Sequence, residues 1–290
     1  MNFALILVCS LTATISSIAI RLFQQKLQKS LRHLYVFQFS YTLICAVVYL
    51  IMAEFRPLHG QNAWLLAIAF AACLSVCTIG TSEMYLHGPM SLSSVIVSCN
   101  ILMPIVFGCV FYNETLKAVH IIGCLFLMAT LILSGIGPKE EKKEIRPRWY
   151  LMVAMAFLGN GFGAVVLNAY GKLYVGAGNN AFLGISFLLS ATVLFFYIFL
   201  AGGKKSEIKE TYPPLFFLLI GISAAGCFGT NALLLQLTGT TPASILYPVY
   251  NGGSSVMVCA ISCLVFREPM NRKKLLTVLL GVCAVVLLNL

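Results

Sequence analysis

The stretch ILYPVYNGGSSVMVC, residues 245 to 259, places polar side chains at helical spacing inside an uncharged segment. Tyr247, Asn251 and Ser255 follow one another at intervals of four, so a helix puts them on one face. Asparagine offers two hydrogen-bond donors and an acceptor, and tyrosine adds a hydroxyl to an apolar wall. This face is suited to holding a small neutral or zwitterionic molecule.

The backbone of this stretch is also unusual. Pro248 removes the helical hydrogen bond to the Ser244 carbonyl, and Gly252 and Gly253 allow another backbone or a ligand to come close. The segment from Pro242 to Phe266 is long enough to cross a bilayer, which takes about 20 apolar residues. An unpaired polar group in hydrocarbon costs several kcal/mol. The polar groups therefore either line a cavity or join helices, and both interpretations stay open.

Further amide side chains occur in other apolar segments and are predicted to line the same cavity: Asn100, Asn160, Asn168, Asn231 and Gln38. Asn100 precedes Pro104 by four residues, so two proline-containing helices are expected to face each other across the cavity. For Asn231, a packing role is an equal alternative. Two stripes of small residues, Gly159 with Gly163 and Gly221 with Ala225 and Gly229, predict close helix packing.

Ionisable residues within a bilayer are costly and are functional candidates by default. Glu83, with His87 one turn later, is a candidate for proton coupling; solvation at the membrane interface is the alternative. Glu114 and Glu268 lie in predicted turns, where helix capping or pairing with Lys117 and Arg267 is expected. Lys172, at a helix end, is expected to extend to the interface.

Other chemistry has little support in the sequence. The chain has no aspartate, its four histidines lie near the ends of apolar segments, and its 11 cysteines fall within those segments as expected packing residues. No Walker A sequence occurs. We expect no enzymatic activity, no metal, no cofactor and no nucleic-acid partner.

Composition predicts an integral membrane protein, since 60% of residues are hydrophobic and 10% are charged, against about 25% charged in soluble domains. Apolar runs of spanning length recur ten times, near residues 3–23, 34–53, 64–86, 91–112, 116–137, 149–170, 180–201, 213–236, 242–266 and 272–290. The expected fold is all-α, with ten transmembrane helices.

The net charge of +10 is distributed by side of the membrane. Of the 19 lysines and arginines, all but Arg56, Lys117 and Lys172 fall in loops on one side. The positive-inside rule places that side in the cytoplasm. We therefore expect a multi-pass protein of the plasma or inner membrane, with both termini extracytoplasmic.

The two halves of the chain resemble each other. FYNETLKAVHIIGCLFLMATLIL (111–133) aligns with VFREPMNRKKLLTVLLGVCAVVLL (265–288), and Gly80 aligns with Gly229 in the preceding segments. The predicted units are residues 1–137 and 149–290, five helices each, joined by a charged cytoplasmic linker at 138–148. Because five is odd, the second unit is inverted, a construction found in many secondary transporters.

This layout, the HGPMSLSS segment and the glutamate after the fourth helix of each half resemble the ten-helix, EamA-like members of the drug/metabolite transporter superfamily. LYPVYNGGSSVMVCAISCLVFREP is also similar to the closing helices of the small multidrug resistance exporters. Those exporters carry a carboxylate in their first helix, and FALILVCSLTATISSIAI has none. Proton-coupled drug antiport through that residue is therefore not implied.

Residues and resemblance together predict a secondary transporter, monomeric or homodimeric, that moves a small neutral or zwitterionic organic metabolite by alternating access. The polar groups suit such a solute because they offer no buried counter-charge for a strong ion. The alternative is a lipid-handling or scaffold membrane protein without solute transport.

Overall fold

A computed structural model describes residues 3–28, 30–58, 60–87, 93, 96–97, 99–114, 118–135, 147–176, 178–201 and 212–265, with a few helical positions between 276 and 287. Within these residues the chain forms α1 (Phe3–Lys26), α2 (Leu31–Met52), α3 (Gln61–His87), a 3₁₀ turn (Cys99–Ile101), α4 (Leu102–Tyr112), α5 (Ala118–Gly135), α6 (Pro147–Leu173), α7 (Asn179–Ala201), α8 (Pro214–Thr238) and α9 (Ala243–Val265). Glu268 and Arg267 lie outside the described residues, as do Lys117 and nearly all of the tenth predicted span.

Six of these helices are long and apolar enough to cross a membrane: α1, α2, α3, α6, α7 and α8. Leucine, isoleucine, valine and phenylalanine on their outer faces are exposed, as a lipid-facing surface requires. The protein is therefore a multi-pass, all-helical membrane protein in the part of the chain that the structure describes.

The helices pack mainly across the two halves of the sequence. Helix α3 packs along α6 and α7, α2 along α7 and α8, and α1 along α8 and α9. Helix α4 contacts α6 and α9, and α5 also contacts α9. The main hydrophobic cluster contains Ile6 of α1, Tyr49 of α2, Phe182 of α7 and Val249 of α9, so the core lies where the halves meet.

The contact between α3 and α6 depends on glycines. A Cβ atom on Gly159 would lie 2.6 Å from the backbone nitrogen of Cys77, and one on Gly80 would lie 2.5 Å from that of Ala156. The Gly163 position is in ordinary contact with Cys73. The predicted packing role of the Gly159 and Gly163 pair is confirmed.

The second predicted stripe is wrong in register. Gly221 and Ala225 are exposed, and a Cβ on Gly221 would meet none of the described atoms within 4 Å. Helix α8 instead packs on α1 through Gly226, whose added Cβ would lie 2.7 Å from the Thr12 carbonyl oxygen, and through Gly229. Because adjacent helical residues differ by about 100°, Gly226 faces α1 where Ala225 does not.

Prolines mark two local features of the helices. The 3₁₀ turn at Cys99–Ile101 directly precedes α4, and Pro104 withholds the backbone N–H that would bond the Asn100 carbonyl. Helix α6 begins at Pro147, where the first helical position tolerates a missing N–H. Arg148, expected in the linker, therefore lies in the first turn of α6.

Candidate functional site

Asn160 is exposed on the side of α6 that faces the rest of the protein. It is the central residue of this 27-residue helix. Two residues along a helix correspond to a rotation of about 200°, so Leu158 and Phe162, both exposed, lie on the opposite side. Ala156 and Leu167, on the same side as Asn160, are buried. From this exposure on the inner side of α6 we infer an internal space beside Asn160.

Ser17 of α1 has the same arrangement. It is exposed, while Ile15 and Leu11, exposed at 39% and 43%, lie on the other side of the helix. Its hydroxyl donates to the Ala13 carbonyl at 2.8 Å, which explains how a serine is tolerated there. Ser17 adds a second polar group on an inner face.

Helix α9, which carries the opening stretch, is enclosed by protein at its start. Ala243, Leu246, Tyr247 and Val249 are at most 3% exposed, and Gly252 and Gly253 are also buried. Its polar residues therefore do not face lipid at these positions. The Tyr247 hydroxyl donates to the Ala164 carbonyl of α6 at 2.7 Å, so Tyr247 joins two helices in this state.

Asn251 makes no bond to another helix among the described residues. Its amide nitrogen donates to the Tyr247 carbonyl of its own helix at 2.9 Å, and the residue is partly exposed. The next turn is joined to α1, where the Thr14 hydroxyl is 3.4 Å from that of Ser254. The side chain of Ser255 lies outside the described residues.

The expectation that α4 and α9 face each other across a cavity is wrong at the end where α9 begins. Ile101 and Ile105 pack directly on Ala243 and Tyr247. Small residues permit this approach, since a Cβ on Gly108 would lie 3.3 Å from the Ala243 Cβ. The space beside Asn160 is instead bordered by α6 and the helices that contact it, α3, α4 and α8 among them.

Asn168 of α6 is fully buried, and neither atom of its amide has a hydrogen-bond partner in the part of the chain that the structure describes. It lies one turn after Ala164, which contacts Tyr247, and one turn before Lys172. Asn160, Ala164, Asn168 and Lys172 therefore share one face of α6. This face runs from the internal space to the end of α6 that is predicted to be extracytoplasmic.

Lys172 pairs with Glu114, the residue that follows α4 and its cap Asn113. The Glu114 carboxylate also accepts from the backbone nitrogens of Ala243 at 3.1 Å and Ser244 at 3.3 Å. Helix capping by Glu114 was predicted, and the helix that it caps is α9, in the other half of the chain. The expectation that Lys172 extends to the interface stays a prediction: its side chain is 21% exposed and pairs with the Glu114 carboxylate, whose side chain is 7% exposed.

Glu83 is buried in a second polar cluster, at the other end of α6. Its side chain is 2% exposed and lies 2.7 Å from the Arg148 guanidinium. Its Oε1 accepts from the hydroxyls of Tyr35 at 3.1 Å and Tyr197 at 2.9 Å. Glu83 thus links α3 to α2, α6 and α7. His87 is the last residue of α3, and its side chain lies outside the described residues.

The remaining candidates are distributed around these clusters. Gln38 exchanges hydrogen bonds with Ser82, at 2.8 and 3.1 Å, close in sequence to Glu83. Asn231 donates to the Cys227 carbonyl of its own helix at 2.9 Å. Asn100 lies partly exposed in the 3₁₀ turn. Their assignment to solute binding stays a prediction.

Sequence reasoning missed the partners in both ion pairs. It connects neither Arg148 with Glu83 nor Lys172 with Glu114. A signal was available: the predicted topology places Glu83 and Arg148 on one side of the membrane and Glu114 and Lys172 on the other. In each pair a carboxylate of the first half meets a cation of α6.

Comparison with known proteins identifies the fold and nothing further. No protein family model matches the chain, and no curated protein matches it. Among solved structures, 28 chains are similar. One, titled "Crystal structure of protein", has a TM-score of 0.75, covers 97% of this chain and 95% of its own, and is 10% identical. At that identity the likeness concerns the architecture alone.

Proposed function

We propose that this protein is a secondary transporter that moves a small neutral or zwitterionic organic metabolite across the cytoplasmic membrane by alternating access. The observation that carries the proposal is the exposed Asn160 in the middle of α6, on the side opposite the exposed Phe162. An amide exposed to hydrocarbon at this depth would lose its hydrogen bonds. Beside an internal polar space it can bind water or a solute instead.

Alternating access by two inverted five-helix halves, ten helices in all, is part of the proposal. A two-fold exchange of the halves replaces α1, α2, α3 and α4 by α6, α7, α8 and α9. Under this exchange the contact between α3 and α6 corresponds to one between α8 and α1, and the contact between α4 and α6 corresponds to one between α9 and α1. All four contacts are present, as a two-fold relation requires. Ser17 and Asn160, exposed polar residues on inner faces, then lie on exchanged helices.

The solute class follows from the charges near the cavity. The buried carboxylates of Glu83 and Glu114 are already paired with Arg148 and Lys172. Amides and hydroxyls supply the remaining polar groups, so a strong ion has no free counter-charge among the described residues that line this region. A neutral or zwitterionic molecule can be held by hydrogen bonds without one.

Several expectations from the sequence belong to this proposal. Both termini lie outside the cytoplasm, the membrane is the plasma or inner membrane, and the family is the drug/metabolite transporter superfamily with EamA-like architecture. Tyr247, Asn251, Ser255, Asn100 and Asn168 belong to the proposed solute path. Asn231 and Gln38 are proposed at its margins. Glu83 and His87 are the candidates for proton coupling, and for Glu83 the pairing with Arg148 favours the alternative role of joining helices.

A lipid-handling or scaffold function is the second candidate. It is favoured by the number of polar groups that join helices, including the Thr12–Thr230 hydroxyl pair at 3.0 Å and the Gln38–Ser82 pair. Such contacts serve a rigid scaffold equally well. The exposed Asn160 has no role in that account.

A thermal-shift screen of metabolites on the purified protein tests the proposal, because a ligand of the folded state raises the melting temperature. We expect at least one neutral or zwitterionic metabolite to stabilise the wild type and not Asn160→Leu. Thr192→Leu, which changes an exposed polar residue of α7 to the same apolar side chain, serves as the matched control and should keep the response. Stabilisation by lipid alone, with no response to any metabolite, would favour the second candidate.

A further inference from the structure

The Glu114 carboxylate occupies a site built from three different elements. Lys172 of α6 supplies a cation, and the first two backbone N–H groups of α9, at Ala243 and Ser244, supply donors. Gly108 supplies space, since a Cβ there would lie 2.7 Å from the Glu114 Oε2. The Lys172 ammonium also lies 4.3 Å from the centre of the Tyr112 ring.

These groups form a general carboxylate site. Backbone N–H groups at a helix start carry partial positive charge and bind anions, and the lysine ammonium adds a full charge. Each of these contacts is made to the carboxylate and not to the rest of the Glu114 side chain. A carboxylate from another molecule could make the same contacts.

Asn168 is the second observation that points to a ligand. Its amide is fully buried and has no hydrogen-bond partner among the described residues, although an unsatisfied buried polar group destabilises the folded state. Ala164 and Lys172, one turn away on either side, contact Tyr247 and Glu114. Asn168 therefore faces the first turns of α9, between the Tyr247 contact and the carboxylate site.

We propose that Lys172, the first turn of α9 and Asn168 form a binding site for the carboxylate of the transported solute. The Glu114 carboxylate occupies this site when no solute is bound and competes with the solute for it. A solute that leaves the cavity at Asn160 meets Asn168 and then Lys172 along one face of α6. Its carboxylate replaces Glu114 on Lys172 and on the Ala243 and Ser244 amides. This inference rests on the proposed function and narrows the solute to zwitterions that carry a carboxylate.

The test removes the competitor and supplies a small carboxylate. Glu114→Ala empties the site, and the melting temperature of the purified protein is measured in acetate, with chloride balancing ionic strength and acetamide as the uncharged control. We expect acetate to raise the melting temperature of Glu114→Ala by roughly 5 °C at 100 times its dissociation constant. The wild type, whose own carboxylate is held in place, responds far less. Glu114→Ser provides a second emptied site in case the alanine variant does not fold.

Two further variants separate a ligand site from a helix cap. Adding Lys172→Met to Glu114→Ala should abolish the acetate response. Adding Asn168→Leu should weaken acetate binding about tenfold or more, because a free acetate, unlike the Glu114 carboxylate fixed to its own backbone, can move within reach of the Asn168 amide and accept a hydrogen bond from it. The matched control is Glu54→Ala, which removes an exposed carboxylate paired with Arg56 and should create no response.

Two outcomes overturn the inference. Folded Glu114→Ala or Glu114→Ser protein with no acetate response would show that the site does not take a free carboxylate. If Asn168→Leu leaves the acetate-induced rise in melting temperature unchanged, Asn168 is not part of the site, and Glu114 serves only as a cap of α9. Neither measurement requires transport, so acetate binding without movement of any solute would reject the proposed function and keep the site.

Discussion

The amide of Asn160 and the ring of Phe162 are both exposed, yet they lie on opposite sides of α6. Phe162 is 52% exposed, as expected for a ring in contact with lipid tails. Asn160 lies on the side that carries buried Ala156 and Leu167. Helix α6 is therefore exposed on two sides. The side with Phe162 is apolar, and the side with Asn160 is polar.

Thiol labelling should distinguish the two sides of α6. We expect Asn160→Cys to react with a small charged methanethiosulfonate reagent and Phe162→Cys to react much more slowly, because the reactive thiolate forms in water and not in lipid. The native cysteines provide the background, which is measured on the unmodified chain. Equal reaction at both positions would contradict an internal space beside Asn160.

Glycine substitutions should test the close contact between α3 and α6. Gly159→Ala puts a Cβ 2.6 Å from the Cys77 backbone nitrogen, and backbone cannot move aside cheaply. We expect a loss of roughly 1–3 kcal/mol in the free energy of unfolding, measured by denaturant titration in detergent micelles. Gly221→Ala is the matched control: it meets open space among the described residues and should be neutral or stabilising by up to about 1 kcal/mol.

Glu83→Gln should lower stability by about 1–3 kcal/mol, because it removes a charged partner from Arg148 while retaining an acceptor for Tyr35 and Tyr197. The measurement is the melting temperature of the purified variant. We expect the pH profile of solute transport to keep its shape, as for a residue that joins helices. A flattened pH profile with unchanged melting would instead assign proton coupling to Glu83.

Asn251→Leu should affect solute binding more than folding. The Asn251 amide bonds only within its own helix among the described residues, so its loss leaves no partner helix unpaired there. We expect solute affinity to fall about 10- to 100-fold and the melting temperature to change little. A variant that binds solute normally but melts early would show that this position is structural.

Hydrophobicity alone predicted most of the fold. Eight of the ten predicted spans agree with described helices to within a few residues, because the bilayer sets the length of each segment. The fourth span, 91–112, corresponds to α4, which begins only at Leu102, and the tenth lies almost wholly outside the described residues. Face assignment was harder. The spacing of four between Gly221, Ala225 and Gly229 predicts one stripe of small residues, but of these Gly229 meets α1 and Gly221 does not, and the closest contact is made by Gly226, outside the stripe. The spacing of residues along a helix predicts which of them share a face, but it does not predict which neighbouring helix that face contacts.

The candidate site was predicted as a set of polar residues and not as an arrangement. The sequence singled out Asn160 and Asn168 as cavity residues, and both lie on the inner side of α6. The ion pair between Lys172 and Glu114 joins residues 58 positions apart. Such a contact depends on how α4 and α6 pack, which local sequence patterns do not encode.

Solute movement across a vesicle membrane tests transport most directly. Purified protein is inserted into vesicles loaded with a defined mixture of amino acids and neutral metabolites, and the solutes that leave are identified by mass spectrometry. The account predicts that at least one zwitterionic or neutral solute leaves faster than from protein-free vesicles, and that Asn160→Leu abolishes the difference. Inserted, folded protein that accelerates the exit of no such solute would contradict it.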